Sequence, residues 1–153
     1  DRGVPMAQNR KHLIAAHPHL EDLITAWDTR WDGMFNGYVD GMDGMIEAIA
    51  AHDIAQHALS NMPAEKWPWV RAHYPSFERF EVAIISGEEG VIKPDPAIYE
   101  IAKARLASPP GDTLFIDDRL ENVEAARAAG FMGHHFRGAE GLKADLAARG
   151  LTL

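Results

Sequence analysis

Residues 113–122 read Thr-Leu-Phe-Ile-Asp-Asp-Arg-Leu-Glu-Asn, and this stretch decides how the rest of the chain is interpreted. A short apolar run ends in the adjacent acids Asp117 and Asp118, and a helical pattern begins just after them. In open α/β sheets, ligands bind beyond the carboxyl ends of the strands, so acids at such an end are candidate ligands. Neighbouring carboxylates repel each other unless a cation or strong donors hold them, which favours Mg²⁺. The alternative is that one acid caps the next helix while the other is solvated, and these residues alone leave both open.

The sequence around this stretch alternates between strand and helix patterns, which predicts an α/β fold with a parallel sheet and crossover helices. The predicted strands are Ile54 to Ser60, Val82 to Ser86, Thr113 to Asp117, and a weaker Met132 to Phe136. Helices are predicted at residues 64–73, 95–106, 119–129 and 139–149. Asp95 followed by Pro96 favours a helix start, and Gly130 favours the end of the preceding helix.

The first part of the chain, residues 7–36, is predicted to be helical because apolar residues recur at spacings of three, four and seven. Trp27, Trp31 and Phe35 form a ladder with one residue every four, and we expect this ladder to pack in the core. Glycines interrupt the pattern between residues 37 and 44, before another helix that is predicted to end near His52.

Composition places the chain among ordinary globular proteins and excludes several classes of function. Its 153 residues, 46% hydrophobic and 25% charged, suit one compact domain or a small core with an appendage. A net charge of −8 without a basic run argues against a nucleic-acid partner, and the lack of cysteine rules out disulfides and thiolate sites. No apolar stretch approaches the roughly 20 residues of a membrane span, and no signal-peptide pattern is present. We therefore expect a soluble, cytoplasmic protein without a membrane partner.

Two further polar motifs lie next to predicted elements. Ser60 and Asn61 end the first strand, where a hydroxyl and loop N–H groups could hold an anion, although such a pair is more often an ordinary turn. Lys93 lies in Gly-Val-Ile-Lys-Pro-Asp-Pro, residues 90–96. It could neutralise a phosphoryl oxygen or crowded carboxylates, although a lone lysine is more often a surface residue. The order and spacing of the three motifs together favour the functional interpretation.

Together these motifs resemble the second, third and fourth motifs of the haloacid dehalogenase superfamily: Ser60-Asn61, then Lys93-Pro94-Asp95-Pro96, then Phe115-Ile116-Asp117-Asp118 with Asn122. The likeness covers residues 37–137, including the segments 86–90 and 124–130. It is nearest to subfamily I, whose members have a helical cap, in the sugar-phosphatase-like and epoxide-hydrolase-phosphatase-like branch. The resemblance implies a Rossmann-like α/β core at residues 37–153, with a parallel sheet and flanking helices. It implies the C-terminal part of an all-helical cap at residues 1–36.

The resemblance also implies a role for each motif residue. Ser60 would hydrogen-bond a phosphoryl oxygen, helped by the backbone N–H of Asn61, and Lys93 would bind the phosphoryl group and the nucleophile. Asp118 would be a direct Mg²⁺ ligand, Asp117 a ligand or water-mediated second acid, and Asn122 an organiser of the loop. Mg²⁺ is the implied cofactor. These residue types suit phosphoryl transfer, which needs positioning and charge neutralisation.

The family's first motif, a hydrophobic strand ending in Asp-x-Asp that supplies the nucleophile, is not found. The segment 40–44, Asp-Gly-Met-Asp-Gly, has two residues between its acids instead of one and follows no apolar strand, so we reject it. A preceding segment is expected to carry the motif, with its strand at the sheet centre between the strands that end at Ser60 and Asp117. Those two strands should flank an added strand or have closed up and paired directly. The 153-residue chain alone is expected to be catalytically inactive.

Three functions compete at this point. The leading expectation is that the intact protein is a Mg²⁺-dependent phosphatase acting on a small phosphorylated molecule, such as a sugar phosphate, through a phosphoaspartyl intermediate. A metal-free 2-haloacid dehalogenase is the alternative enzyme, but two acids without a cation would repel its anionic substrate. The third is a catalytically inactive fragment that serves only in binding. Assembly into a homodimer is compatible with each of these functions.

Overall fold

The computed structural model describes residues 2–153, in which a helical segment precedes alternating strands and helices. The helical segment contains α1 (Met6–Ala16), α2 (Glu21–Thr29) and 3₁₀ turns at Pro18–Leu20 and Trp31–Met34. The remainder contains α3 (Met42–Ala50), β1 (Gln56–Ser60), α4 (Trp67–His73), β2 (Phe80–Ile85), α5 (Ser86–Glu89), α6 (Pro96–Arg105), β3 (Leu114–Asp117), α7 (Leu120–Ala128), β4 (Met132–His135) and α8 (Ala139–Ala148). Further 3₁₀ turns lie at Ala64–Lys66, Pro75–Arg79 and Pro110–Asp112. None of the helices in residues 2–153 is long and apolar enough to cross a membrane.

The strands form two parallel pairs, which confirms the predicted α/β class. In the first pair β1 lies beside β2, with Ser60 opposite Ile85. In the second pair β3 lies beside β4, with Asp117 opposite His135. A parallel pair needs a crossover connection, and the helices between the strands supply it.

Helix packing places the strand pairs between layers of helices. Neighbouring residues of a strand face opposite sides. On β2, Ile84 packs in a buried cluster with α6 and α7, whereas Ile85 packs with α4 and the N-terminal helices. On β3, Phe115 packs against the α6 and α7 cluster, and Leu114 packs against α3 and α8. One helical layer therefore covers the same face of both strand pairs.

Local sequence signals explain where several elements begin and end. Asp95 caps α6 as predicted, because its carboxylate accepts the Ala97 N–H at 3.0 Å. Gly130 follows α7 with a φ of 99°, which glycine adopts at low cost. The predicted strand ending at Ser86 is wrong by one residue, because Ser86 starts the short helix α5. The segment 40–44 is not a strand: residues 40 and 41 form a turn, and residues 42–44 are the start of α3.

The prediction that Trp27, Trp31 and Phe35 all pack in the core is wrong for Trp27. Trp31 is buried and Phe35 is half-buried, with their ring centroids 4.7 Å apart. Trp27 is 58% exposed, and Leu23 on the same helix is 70% exposed. The ladder is broken because α2 ends at Thr29, and Trp31 lies in a separate 3₁₀ turn that points it in another direction.

Within residues 2–153, β1 and β3 are not hydrogen-bonded to each other, and no strand lies between them. A largely apolar cavity of about 590 Å³ separates them, lined by Ala58 and Leu59 of β1, by Phe115 and Ile116 of β3, and by Tyr99 of α6. Of the two expected arrangements, direct pairing of β1 with β3 is therefore not observed within residues 2–153. The sheet is open at the place where the missing strand was expected.

Candidate active site

Lys93 connects the carboxyl ends of the two strand pairs. Its ammonium donates a hydrogen bond to the Leu59 carbonyl on β1 at 2.7 Å. It also forms an ion pair with Asp117 at the end of β3, with a separation of 2.8 Å between Nζ and Oδ2. Both partners are well buried, since the side chains are 12% and 5% exposed. The Lys93 ammonium thus bridges the opening between β1 and β3. Its partner on β1, Leu59, is the residue that directly precedes Ser60.

Asp117 is held by three donors. Its Oδ1 accepts the Arg119 N–H and the Asn122 side-chain amide, each at 2.9 Å, while Oδ2 accepts Lys93. Burial raises the pKa of the Asp117 carboxyl, but the hydrogen bonds from Lys93, Arg119 and Asn122 outweigh burial and bring the pKa below its ordinary value. The group is therefore an anion at neutral pH. Asn122 organises this loop through its side chain, and its own carbonyl accepts the Tyr99 hydroxyl at 2.9 Å.

Asp118 differs from its neighbour because it is exposed. Its carboxylate makes no hydrogen bond or ion pair within residues 2–153, although its backbone carbonyl lies 3.0 Å from His135 Nε2. The two acids therefore lie in different environments: Asp117 is buried and paired with Lys93, whereas Asp118 is exposed at the surface. His135 was not predicted at the site. Its position at the end of the weak fourth strand, opposite Asp117, is the signal that could have indicated it.

Ser60 is the last residue of β1 and Asn61 follows it, at the same edge of the sheet as Lys93. The Ser60 hydroxyl makes no hydrogen bond within the described residues, so it is available to a ligand. The Asn61 side chain has another partner: it donates to the Lys93 carbonyl at 3.0 Å and accepts the Lys93 N–H at 2.8 Å. Asn61 thus fixes the backbone of Lys93 with a reciprocal pair of hydrogen bonds. This contact could not be predicted from the sequence, because it joins residues 32 positions apart.

The acids at the end of β3 fit a hard cation only in part. Carboxylate oxygens are suitable Mg²⁺ ligands, and Asp118 has an unpaired carboxylate directly beside the buried anion Asp117. Within residues 2–153, however, no three His, Asp or Glu side chains gather where they could hold a metal ion. A complete coordination shell at this edge therefore needs ligands beyond these residues.

Comparison with known proteins shows related chains among hydrolases. A sesquiterpene phosphatase of Aspergillus oryzae is 31% identical over 94 residues, which is 61% of this chain and 48% of that protein. A flavin mononucleotide hydrolase of Arabidopsis thaliana is 32% identical over 117 residues, which is 76% of this chain and 47% of that protein. The chain thus spans about half the length of the curated relatives that it matches.

Solved structures share the fold at low sequence identity. An enzyme of the haloacid dehalogenase family from Bacteroides thetaiotaomicron, an aspartate-to-alanine variant in complex with magnesium and inorganic phosphate, has a TM-score of 0.70 at 20% identity. The match covers 90% of this chain and 71% of that one. L-2-haloacid dehalogenase from Xanthobacter autotrophicus has a TM-score of 0.63 at 19% identity and is covered to 60%. At such identities these likenesses establish the fold.

Family membership rests on a match to the family itself. The haloacid dehalogenase-like hydrolase family matches residues 5–130, which include Ser60, Lys93, Asp117 and Asp118. The parallel strands and the ion pair at their carboxyl ends agree with this match, and the chain belongs to the haloacid dehalogenase-like hydrolases.

Proposed function

We propose that the intact protein is a Mg²⁺-dependent phosphatase that hydrolyses a small phosphomonoester. The observation that carries this proposal is the Lys93 ammonium, which lies 2.8 Å from Asp117 Oδ2 and 2.7 Å from the Leu59 carbonyl. A buried cation at the ligand-binding edge of a parallel sheet suits a substrate with concentrated negative charge. The phosphatase and hydrolase names of the curated relatives support the same class of reaction.

In this proposal the residues after β1 bind the phosphoryl group. Ser60 donates its free hydroxyl to one phosphoryl oxygen, and the backbone N–H of Asn61 donates to another. Lys93 stays within reach of a third oxygen because Asn61 fixes its backbone. Such prearranged donors stabilise the charge that spreads over the phosphoryl oxygens in the transition state.

Asp118 and Asp117 would hold Mg²⁺ at the same edge. When bound, the ion would offset phosphoryl charge and help to orient the group. Asp118 would supply a carboxylate with no other partner among the described residues. Asp117, which is also paired with Lys93, would be the second carboxylate beside the ion. Asn122 and the Arg119 N–H keep Asp117 in place.

The attacking group lies outside these 153 residues. The cavity of about 590 Å³ between β1 and β3 supports the proposal that another segment of the intact protein adds a strand there, with a nucleophilic aspartate at its end. An apolar cavity between two strands with unpaired edges suits an extended apolar segment. Attack by that aspartate on phosphorus would break the P–O bond to the alcohol, which takes up a proton and leaves, and would form a phosphoaspartyl intermediate. Water would then hydrolyse this intermediate to phosphate and the free aspartate.

We also propose that residues 1–36 are part of the helical cap and residues 37–153 belong to the core of a cytoplasmic enzyme, which could act as a homodimer. The relatives carry the names of a sesquiterpene phosphatase and a flavin mononucleotide hydrolase, so we propose an organic phosphomonoester without choosing between sugar, flavin and terpenoid alcohols.

A metal-free 2-haloacid dehalogenase is the second candidate, since such an enzyme has the same fold. The exposed Asp118 carboxylate disfavours it, because it would repel a haloacid carboxylate when no cation is bound.

The test is an assay of the intact protein with para-nitrophenyl phosphate and with L-2-chloropropionate, each with Mg²⁺ and with EDTA. We expect phosphate release that requires Mg²⁺, and no halide release. The 153-residue chain should release neither. Halide release that persists in EDTA would favour the dehalogenase, and turnover by the 153-residue chain would mean that the nucleophile lies within it.

A further inference from the structure

The loop after β1 is held by the first residues of α5. The fully buried Ser86 hydroxyl accepts the Met62 N–H at 2.9 Å and donates to the Met62 carbonyl at 3.3 Å. The Gly87 N–H donates to the same carbonyl at 3.0 Å. Two consecutive residues at the carboxyl end of β2 therefore bind both backbone groups of Met62.

These contacts restrict Asn61 from its C-terminal side. The Met62 N–H belongs to the same planar peptide group as the Asn61 carbonyl, so Ser86 fixes the orientation of that group. The Asn61 side chain is already fixed by the Lys93 backbone. Asn61 is thus held at its side chain and at the peptide group that follows it, which limits the positions open to its own N–H.

Gly87 allows the loop to approach this closely. A Cβ at residue 87 would lie 2.8 Å from the Met62 carbonyl oxygen and inside contact distance of the Ala64 nitrogen. Backbone atoms cannot yield as a flexible side chain can. A residue with a side chain would therefore clash at position 87. Because Gly87 has none, the backbone of residues 62–64 can pack directly against α5.

We propose that Ser86 is a positioning residue for phosphate binding: its hydroxyl sets the loop so that the Asn61 N–H and the Ser60 hydroxyl point at one phosphoryl group. This inference rests on the proposed function, since it assumes that the loop binds phosphate. Ser86 itself contacts only the protein. Its effect is on substrate affinity, because prearranged donors lose binding free energy when they become mobile.

The experiment compares Ser86→Ala with Ser76→Ala in the intact protein. Ser76 is also buried, but it precedes β2 and lies at the amino end of that strand. Thermal unfolding first identifies a temperature at which both variants are folded. At that temperature the KM for para-nitrophenyl phosphate and the Ki of inorganic phosphate are measured.

For Ser86→Ala we expect KM and Ki to rise together by roughly tenfold, with a much smaller fall in kcat. For Ser76→Ala both constants should stay within about twofold of the wild type, whatever its loss of thermal stability. A folded Ser86→Ala variant with unchanged KM and Ki would overturn the inference.

A second pair of variants tests the same loop without touching the hydroxyl. Gly87→Ala should raise the Ki of phosphate by displacing residues 62–64, whereas Gly141→Ala, where a Cβ meets nothing within 4 Å, should not. This pair decides the question if Ser86→Ala does not fold. Equal Ki values for the two glycine variants would then overturn the inference. A wild-type protein that does not turn over para-nitrophenyl phosphate would instead remove the proposed function, and with it the premise of the inference.

Discussion

Lys93 and Asp117 form a buried ion pair, and the Asp117 carboxylate has more hydrogen bonds to other groups than the Lys93 ammonium has. Within residues 2–153, Asp117 keeps two other donors if Lys93 is lost, whereas the Lys93 ammonium keeps the Leu59 carbonyl as its one hydrogen-bond acceptor if Asp117 is lost. Removing one member of a buried pair costs about 3–5 kcal/mol of stability in other proteins. The loss of Lys93 should therefore be better tolerated by the fold than the loss of Asp117.

Lys93→Met in the intact protein should lower phosphatase kcat by at least about a hundredfold, because the substituted side chain cannot neutralise phosphoryl charge. The variant should still fold, since Arg119 and Asn122 continue to hold Asp117. The matched control is Lys103→Met, which removes a lysine whose partner is the exposed Glu100. Steady-state kinetics and circular dichroism check the prediction, and near-normal kcat for Lys93→Met would exclude the lysine from the reaction.

Asp118→Asn should weaken Mg²⁺ activation and lower turnover by at least about tenfold, because one anionic oxygen ligand is lost. Asp112→Asn is the control, since Asp112 lies in a 3₁₀ turn at the opposite end of β3. The measurement is the Mg²⁺ concentration for half-maximal activity of the intact protein. Identical Mg²⁺ dependence in both variants would contradict the assignment of Asp118.

At this scale the sequence predicted which residues gather at one edge of the sheet better than it predicted the contacts that each of them makes. Adjacent acids and a lysine before a helix are visible in the chain, because strand ends and helix starts are local signals. The reciprocal bonds between Asn61 and Lys93 are not visible. They depend on the fold bringing two loops together, and they assign the Asn61 side chain to positioning instead of substrate contact.

Among the elements, β1 carries a group that is sensitive to pH. His57 is half-buried, and its Nδ1 is buried without a hydrogen-bond partner within the described residues. Burial lowers the pKa of His57 because it disfavours the imidazolium, and the charge of Glu81 offsets this only in part.

The unfolded chain should therefore take up the His57 proton at a higher pH than the folded chain does. Well above the ordinary imidazole pKa of 6.5 the ring is neutral in both states and has no effect on the pH dependence of stability. As the pH falls below that value, stability is lost until the folded-state pKa is passed. The contribution of one such group to the slope is at most about 1.4 kcal/mol per pH unit.

Urea unfolding between about pH 8 and about pH 5.5 tests this, with His57→Gln compared with His52→Gln. His52 is the control because it is exposed. His57→Gln should lose less stability on acidification than the wild type and the control. Equal losses in all three would show that His57 does not titrate differently in the folded state.

Element positions were predictable where a pattern is local and less so where tertiary contacts decide. Asp95 and Gly130 mark helix ends by their own chemistry, and the strands were located within about two residues at each end, the usual uncertainty of such boundaries. The exposure of Trp27 was not predictable from spacing. Spacing specifies which residues share a face of a helix, whereas the neighbours that cover that face are supplied by the fold.

For the whole molecule, the open sheet is the feature that most constrains function. Buried backbone groups without partners cost about 1–3 kcal/mol each, so β1 and β3 would gain stability from a strand between them. Within residues 2–153 the contact across this opening at the carboxyl ends is Lys93, which joins Leu59 to Asp117. An added strand would end beside this lysine, where an attacking carboxylate would be needed.

The most direct test is a crystal structure of the intact protein grown with Mg²⁺ and phosphate. We expect phosphate within hydrogen-bonding distance of Ser60 Oγ and Lys93 Nζ, with Mg²⁺ on the Asp118 carboxylate. We also expect a strand between β1 and β3 that ends in an aspartate facing the phosphate. Phosphate bound elsewhere, with Lys93 turned away from it, or β1 paired directly with β3, would show that this edge of the sheet is not the phosphate site.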